Sequence, residues 1–226
     1  MPRRGVFLTD DYLIRVINTA LAALAQIVGL KTASQFIEAR LQIDRALEEI
    51  IGLRAELIKR LNDASILDAL RVQDGLDTNR LWLVAALFKE EGEVLERQGR
   101  PDSANQSYLR ALSFFLEVAL QGGTDHFDDP DDQILFLSNK FAQASLPPEL
   151  RFSLFTYEEQ AGRYDRAAIA LQSLLEQFGT DAAIRDEAIG FYRRLQAKAD
   201  LELISGGLSR EQVESRLAGL EKPEAR

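Results

Sequence analysis

The chain has 226 residues, one histidine, no cysteine and a formal net charge of −9. A chain of this length can bury a large core without disulfides, and the lack of cysteine excludes thiolate metal sites and cysteine nucleophiles and fits a cytoplasmic protein. The acidic balance is not interrupted by any cluster of Lys and Arg, so we expect no binding to nucleic acid.

The first predicted element is an apolar helix that begins with Thr9 as its N-cap and closes near Gly29. Asp10 and Asp11 precede the apolar stretch, which disfavours a secretory signal. The stretch itself, residues 16–30, is shorter than the ~20 residues that span a bilayer. We therefore expect a buried helix that is central or covers a partner, and no membrane; peripheral membrane attachment is the alternative.

Thr32 and Gln35 have the spacing of a capping box and predict the start of a second helix. Apolar residues recur in it every seven positions and form a coiled-coil-like seam of Phe36, Ile43, Ile50 and Leu57, with Leu47 and Leu61 between them. The seam favours an antiparallel hairpin with the first helix, and a homodimer is the alternative. Gly52 is where this helix can kink or end.

A short helix is predicted from Asp63 to about Val72, and the turn-rich segment 73–79 follows it. No segment alternates convincingly as a strand does. The turn is the best internal boundary. It predicts an N-terminal helical region, residues 1–74, with two long helices and a short one, and a helical repeat region, residues 75–226.

Two further helices are predicted over about 78–98 and 102–121, and small residues mark where they meet. Gly92 and Ala104 let the two backbones approach closely, and Gly99 supplies a left-handed turn between them. Tyr108 and Ala111 are expected to pack back between the helices as one large and one small side chain.

These residues resemble the tetratricopeptide repeat, a helix-turn-helix unit of about 34 residues that stacks into a solenoid. The matching positions are Phe88, Gly92, Leu95, Gly99, Ala104, Tyr108 and Ala111. A second copy over about 153–178 has Phe155 where the first has Gly92, and it matches at Gly162, Tyr164, Ala167 and Leu171. The resemblance covers about 78–200 and implies an all-α fold of stacked antiparallel hairpins in a right-handed solenoid.

The N-terminal part lies outside this resemblance. Its DDYLIRVI opening, with two apolar helices and then the hairpin, is similar to an uncharacterised bacterial family that has a helical N-terminal part and tetratricopeptide-like repeats. A degenerate helical pair is expected between the two copies, partly over 131–143. A long helix is predicted over 181–204, and Ser209 with Gln212 caps a last short one.

Catalytic constellations are not recognisable in the sequence. His126 lies among turn formers, so we expect a solvated loop residue. The sharper candidate is a cluster of five carboxylates that could attract Ca²⁺ or Mg²⁺, namely Asp125, Asp128, Asp129, Asp131 and Asp132.

Two templates fail on this cluster. In an EF-hand loop, Pro130 would replace the glycine of the sharp turn and Phe136 the bidentate glutamate. The D-D-x-x-D spacing of prenyl synthases is present, but Pro130 would break the helix that must present it. We expect a capped helix start and no metal, cofactor or catalytic residue. A metal-dependent enzyme that uses Asp125–Asp132 is the alternative.

The resemblance also implies a concave groove as the binding surface, with Lys89, Glu93, Glu96 and Arg97 facing it from the first helix of the first copy. The carboxylate-binding version of the repeat needs an asparagine where Glu93 stands, so a basic or mixed-charge peptide is the expected ligand. Ordinary solvated helix charges are the alternative. The sequence thus predicts a non-catalytic scaffold or adaptor for a protein or peptide partner, with a homodimer through the apolar N-terminal helices as one form.

Overall fold

The computed structural model describes residues 6–73, 75–141 and 146–221, with only the helical backbone for residues 6–13. In these residues it has twelve α-helices and one small hairpin of two strands, so the predicted all-α class is confirmed. The chain divides into two compact units, Met1–Lys140 and Phe141–Arg226.

The first two helices form a hairpin. α1 spans Val6–Thr32 and α2 spans Phe36–Ile51. The predicted caps were wrong, because Thr9 lies inside α1 and Thr32 is its last residue. The Thr32 hydroxyl donates to the Val28 carbonyl at 2.9 Å, which satisfies it within the helix instead of at a cap.

The seam of α2 is buried inside one molecule, as the hairpin interpretation predicts. Ile43, Leu47 and Ile50 are at most 1% exposed, and α2 packs against both α1 and α5 (Thr78–Arg97). The seam ends where α2 ends, because Gly52 adopts a left-handed conformation there. Leu57 lies beyond that break in the short α3 (Ala55–Ile58) and is 48% exposed.

The predicted turn around residue 74 contains a short β-hairpin that the sequence did not indicate. α4 spans Asp63–Ala69, and β1 (Arg71–Val72) then pairs antiparallel with β2 (Gly75–Leu76). Asp77 follows and caps α5, accepting from the Arg80 amide at 3.0 Å. The expected domain boundary after residue 74 therefore falls inside the first unit, since α1 and α2 both pack against α5.

α5 forms a tight hairpin with α6 (Pro101–Leu120), and the predicted bounds of both helices are confirmed to within one residue. The close approach at Gly92 is confirmed, because a Cβ built there would lie 2.5 Å from the Tyr108 ring. Gly99 has φ 71°, the left-handed turn conformation that the pattern required. α7 (Asp131–Ser138) packs on α6 and completes the first unit.

The second unit contains the other helices that the structure describes: α8 (Pro148–Gln160), α9 (Tyr164–Phe178), α10 (Ala182–Gln196), α11 (Asp200–Ser205) and α12 (Arg210–Glu221). Its core is built around Phe155, Phe191 and Leu195, all at most 1% exposed. Gly162 turns the α8–α9 hairpin with φ 74°, as its position predicts.

The predicted long helix over 181–204 was wrong, because the helix stops at Gln196 and α11 begins separately. The Arg210 guanidinium donates to the Gln196 carbonyl at 2.6 Å and also to the Lys198 carbonyl, so a distant side chain satisfies the carbonyls freed by the break. The capping box before α12 is confirmed. Ser209 N donates to Gln212 Oε1 at 2.8 Å and Gln212 N donates to Ser209 Oγ at 3.2 Å.

Candidate interaction surfaces

The four predicted groove residues lie together on α5, and all four contact the chain's own groups. The Lys89 ammonium lies 3.0 Å from Glu93 and sits 5.2 Å from the centre of the Phe136 ring of α7. The partners of Glu93, Glu96 and Arg97 come from α1, α6 and the segment after α7. A peptide bound along this face would have to displace these contacts.

Lys31 of α1 is the centre of the network. Its side chain is 7% exposed and lies between Glu90 and Glu93, with the Glu93 contact at 2.5 Å. Burial opposes the charge on Lys31, but the hydrogen bonds and charges of the two glutamates outweigh burial and raise its pKa. Burial likewise acts to raise the pKa of Glu93, and its hydrogen bonds from Lys31 and Lys89 prevail and lower it. Both shifts mean that the network stabilises the charged forms.

Glu96 is held from two sides. The Tyr108 hydroxyl donates to it at 2.7 Å, and the Lys140 ammonium lies 3.0 Å from the same carboxylate. These hydrogen bonds, that of Tyr108 first, lower the pKa of Glu96. Lys140 also lies over the Tyr108 ring, 4.4 Å from its centre. The segment after α7 is thereby tied to the α5–α6 hairpin.

Three arginines of the α5–α6 hairpin hold the carbonyl ends of earlier helices. Arg97 donates to the Lys31 carbonyl at 3.3 Å, at the C-terminus of α1. Arg80 donates to the Ile50 carbonyl at 3.0 Å near the end of α2, and Arg110 donates to the Leu61 carbonyl after α3. Guanidinium groups at helix C-termini satisfy free carbonyls and meet the negative end of the dipole.

A second ion-pair group joins α3 to α2 and α5. The Lys59 ammonium lies 2.5 Å from Asp44 and 2.7 Å from Glu91, and the Ser107 hydroxyl donates to Glu91 at 3.0 Å. Burial acts to lower the pKa of Lys59, but the two carboxylates outweigh it and raise the pKa. The charges on α5 therefore act mainly to fasten the N-terminal helices to it.

The opposite situation holds on α1. The prediction of a central helix was wrong, since only 22% of the stretch Ile14–Thr32 is buried within the chain, whereas a helix that covers a partner stays a prediction. We call the part of this stretch that faces solvent the outer face. Its large apolar members are Ile14, Leu21 and Val28, which are 49%, 43% and 50% exposed. Arg15 is the one charged residue among the exposed positions from 14 to 32.

The same stretch of α1 is long and apolar enough to cross a bilayer by length and composition, with 19 residues at a mean hydropathy of 1.3. The apolar run 16–30 is shorter because it ends before the charged residues Arg15 and Lys31, which the longer stretch includes. Core helices of soluble proteins pass this test too, but they are mostly buried, and this helix is mostly exposed.

The aspartate-rich segment does not bring its carboxylates together around a metal. In the part of the chain that the structure describes, no group of three or more His, Cys, Asp or Glu side chains has the arrangement of a metal site. Asp129 instead accepts from the Asp131 amide at 3.0 Å, and Asp131 and Asp132 lie in the first turn of α7. This is the capped helix start that the sequence predicts, and His126 is in the exposed loop before it.

The second unit has an open cavity of about 610 Å³ between α9, α10 and α12. Apolar side chains line most of it, including Ile169, Leu175 and Leu220. Two of its polar lining residues, Tyr192 and Arg216, are hydrogen-bonded to each other at 3.2 Å. The lining offers no nucleophile paired with a base and no cluster of carboxylates, so it suggests no chemistry.

Sequence reasoning missed the partners of the groove residues. Lys31 is 62 positions from Glu93 and Lys140 is 44 positions from Glu96, so no local pattern joins them. One signal was present: Lys31 and Arg15 are the two charges in an otherwise uncharged stretch of α1. A charge within an apolar helix is retained where a partner can neutralise it.

The chain belongs to a family of unknown function, DUF6483, whose model matches residues 7–224. Neither the search of curated proteins nor the search of solved structures found a match.

Proposed function

We propose that this chain, as a member of a family of unknown function, is a non-catalytic protein-interaction module that associates with a protein partner through the outer face of α1. The observation that carries the proposal is the exposure of Ile14, Leu21 and Val28 on a surface with one charge. A helix face of a monomer is normally charged or polar where it meets water. Contiguous apolar surface on a folded protein marks a site of association.

We propose in addition that the α5–α6 and α8–α9 hairpins are tetratricopeptide-like units that serve as the rigid support. The support for this is local geometry: the contact of Gly92 with Tyr108, and the left-handed turns at Gly99 and Gly162. Such hairpins pack closely because one helix offers small residues to the large ones of its neighbour.

In this proposal the charges of α5 hold the module together, and the partner binds elsewhere. Glu93 and Arg97 are bound to Lys31, so they fix the end of α1. Glu96 is bound to Lys140. A peptide at these residues would exchange existing ion pairs for new ones and would gain little free energy. Among the described residues, no ion pair involves the outer face of α1, so a partner there displaces none of these.

Cysteine accessibility tests the proposal, because the chain has no native cysteine. Leu21→Cys places a thiol on the outer face, and Leu201→Cys places one on α11, where Leu201 is 77% exposed. Each variant is labelled with a maleimide twice: as a dilute purified protein, and in native lysate cleared of membranes. We expect the lysate to slow labelling of Cys at position 21 and to leave the control unchanged. Labelling of position 21 as fast as that of position 201 in both samples would remove the proposal.

A further inference from the structure

The exposed residues of α1 form a seam with the spacing of a coiled coil. Positions 14, 18, 21, 25, 28 and 32 alternate in steps of four and three, the period of 3.5 that keeps one stripe facing a partner helix. The large residues of this seam are seven positions apart: Ile14, Leu21 and Val28. Between them lie Asn18, Ala25 and Thr32, which are smaller and also exposed. The structure leaves this seam without a partner helix in the described part of the chain.

We infer that the partner of the outer face is a second copy of this chain, with the two α1 helices packed antiparallel about a twofold axis near residue 23. This inference rests on the proposed function and names its partner. In that register position i of one copy meets position 46 − i of the other. Every layer then joins one large residue to one smaller residue: Ile14 with Thr32, Leu21 with Ala25 and Val28 with Asn18.

This pairing is a property of the seam itself. When one helix is turned to run in the opposite direction, each large residue of the stripe comes to lie opposite a small one. The stripe is therefore complementary to its own copy, which is what a twofold interface requires. A parallel pair would place large on large and small on small at the same level. Asn18 supports a fixed register, since a polar residue within a seam disfavours shifted pairings.

The area is sufficient for a stable contact. At 1.5 Å per residue the seam from Ile14 to Thr32 is about 27 Å long. α2 lies beside α1, so the hairpin is about 20 Å wide at ordinary helix spacing. α2 also exposes large apolar residues, Ile37 at 71% and Leu41 at 51%. Two such faces bury roughly 1,100 Å² in projection, which reaches the ~1,000 Å² expected of a specific interface.

Charge argues against a lipid surface as the occupant. Helices that lie on membranes carry Lys and Arg along their polar edge. The exposed positions of α1 from 14 to 32 offer Arg15 alone, and the chain has a net charge of −9, which anionic lipid repels. Lipid would also give no reason for the alternation of large and small residues.

Light scattering after size exclusion tests the inference on the purified chain. We expect the wild type to be a dimer. Leu21→Glu should weaken dimerisation by at least about 100-fold, because each dimer would bury two of the new carboxylates. Leu201→Glu is the matched control and is expected to remain dimeric. Circular dichroism of each variant shows whether it is folded. A wild type that is monomeric up to high micromolar concentration overturns the inference.

Cross-linking tests the direction without any loss of folding. Ile14→Cys and Thr32→Cys are prepared separately, mixed and oxidised under mild conditions. Antiparallel copies bring positions 14 and 32 together, whereas position 14 of one copy lies about 27 Å along the axis from position 14 of the other. We expect covalent dimers from the mixture and none from either variant alone. Covalent dimers from each variant alone would indicate parallel helices and contradict the inference.

The possible failures are distinguishable. If purified chain is monomeric while the lysate still protects position 21, the proposed function stands and the second copy is wrong as its partner. If the lysate gives no protection and the chain is monomeric, both are wrong. A monomer that pellets with vesicles of phosphatidylcholine and phosphatidylglycerol, but not after Leu21→Glu, assigns the outer face to a membrane and overturns the inference.

Discussion

α5 and α1 each differ from what their residue patterns indicate about exposure to solvent. The charged residues of α5 have the pattern of a solvated or ligand-binding face, yet Glu93 and Glu96 are bound by Lys31 and Lys140. The apolar residues of α1 have the pattern of a core helix, yet Ile14 and Val28 are about half exposed. Residue type therefore did not determine which surface is free. The difference was set by how many sides of each helix are covered by its neighbours, since α1 packs against α2 and α5 and still leaves one side open.

The largest expected effect comes from removing the cation at the centre of the α5 network. Lys31→Met should lower the free energy of unfolding of the first unit by about 3 kcal/mol, because it leaves the buried Glu90 and the partly buried Glu93 with Lys89 as their remaining nearby cation. Trp82, the single tryptophan, lies in α5, so its fluorescence during urea unfolding reports on this unit. Lys140→Met is the control. It should cost less than about 1 kcal/mol because Glu96 is half exposed.

Equal losses for the two lysine variants would show that burial of Lys31 contributes nothing beyond a surface pair. The charged residues of α5 and the outer face of α1 would then differ in composition but not in how firmly their side chains are held.

A second comparison makes one substitution at a covered glycine and at an open one. Gly92→Ala should destabilise by about 1–3 kcal/mol, because the new methyl group would lie 2.5 Å from the Tyr108 ring. Gly29→Ala adds the same group to α1, where nothing lies within 4 Å, and should stabilise by up to about 1 kcal/mol. Urea unfolding is measured at low protein concentration, so that self-association does not contribute. The same sign for both variants would contradict the contrast between close contact at Gly92 and open space at Gly29.

Acid should weaken the network on α5. The pKa of Glu93 is lower in the folded chain than its ordinary value of 4.5, so the unfolded chain takes up the proton first as the pH falls. The stabilisation from Glu93 is complete well above pH 4.5 and is lost as the pH falls through the folded pKa. Urea unfolding at a series of pH values should therefore show a loss of stability as the pH falls below about 4.5. Glu93→Gln should make this loss smaller. An identical pH dependence in both proteins would argue against the shift.

The smallest effect is expected at Arg97. Its hydrogen bond to the Lys31 carbonyl is 3.3 Å long and the side chain is exposed, so Arg97→Ala should cost no more than about 1 kcal/mol. Thermal unfolding followed by circular dichroism measures it. A loss as large as that of Lys31→Met would mean that Arg97 anchors α1, which the geometry does not predict.

Local features of the fold were predictable from the sequence. The bounds of α5 and α6, the turns at Gly99 and Gly162 and the capping box at Ser209 depend on a few neighbouring residues. The break before α11 was not predictable, because Arg210 stabilises it from 14 positions away. The β-hairpin around residue 74 was missed because two-residue strands are too short to alternate.

The candidate site was predicted less well than the fold. The four residues on α5 were correctly grouped on one helix, but their ion pairs with Lys31 and Lys140 bridge 62 and 44 positions. The sequence predicted burial for the outer face of α1 because α1 is apolar. Hydropathy alone does not distinguish a helix with two covered sides from a helix with one covered side.

By itself, the sequence determined that this protein belongs to the all-α class. It also determined where small residues let helices approach and where the α5–α6 and α8–α9 hairpins turn, since these depend on backbone conformation and nearest neighbours. Only the tertiary structure decided which charges are neutralised and which apolar stripe faces water. Those properties depend on pairs of helices that are distant in sequence. Whether a side chain is buried depends on both helices of a packed pair, so the sequence of one helix does not determine it.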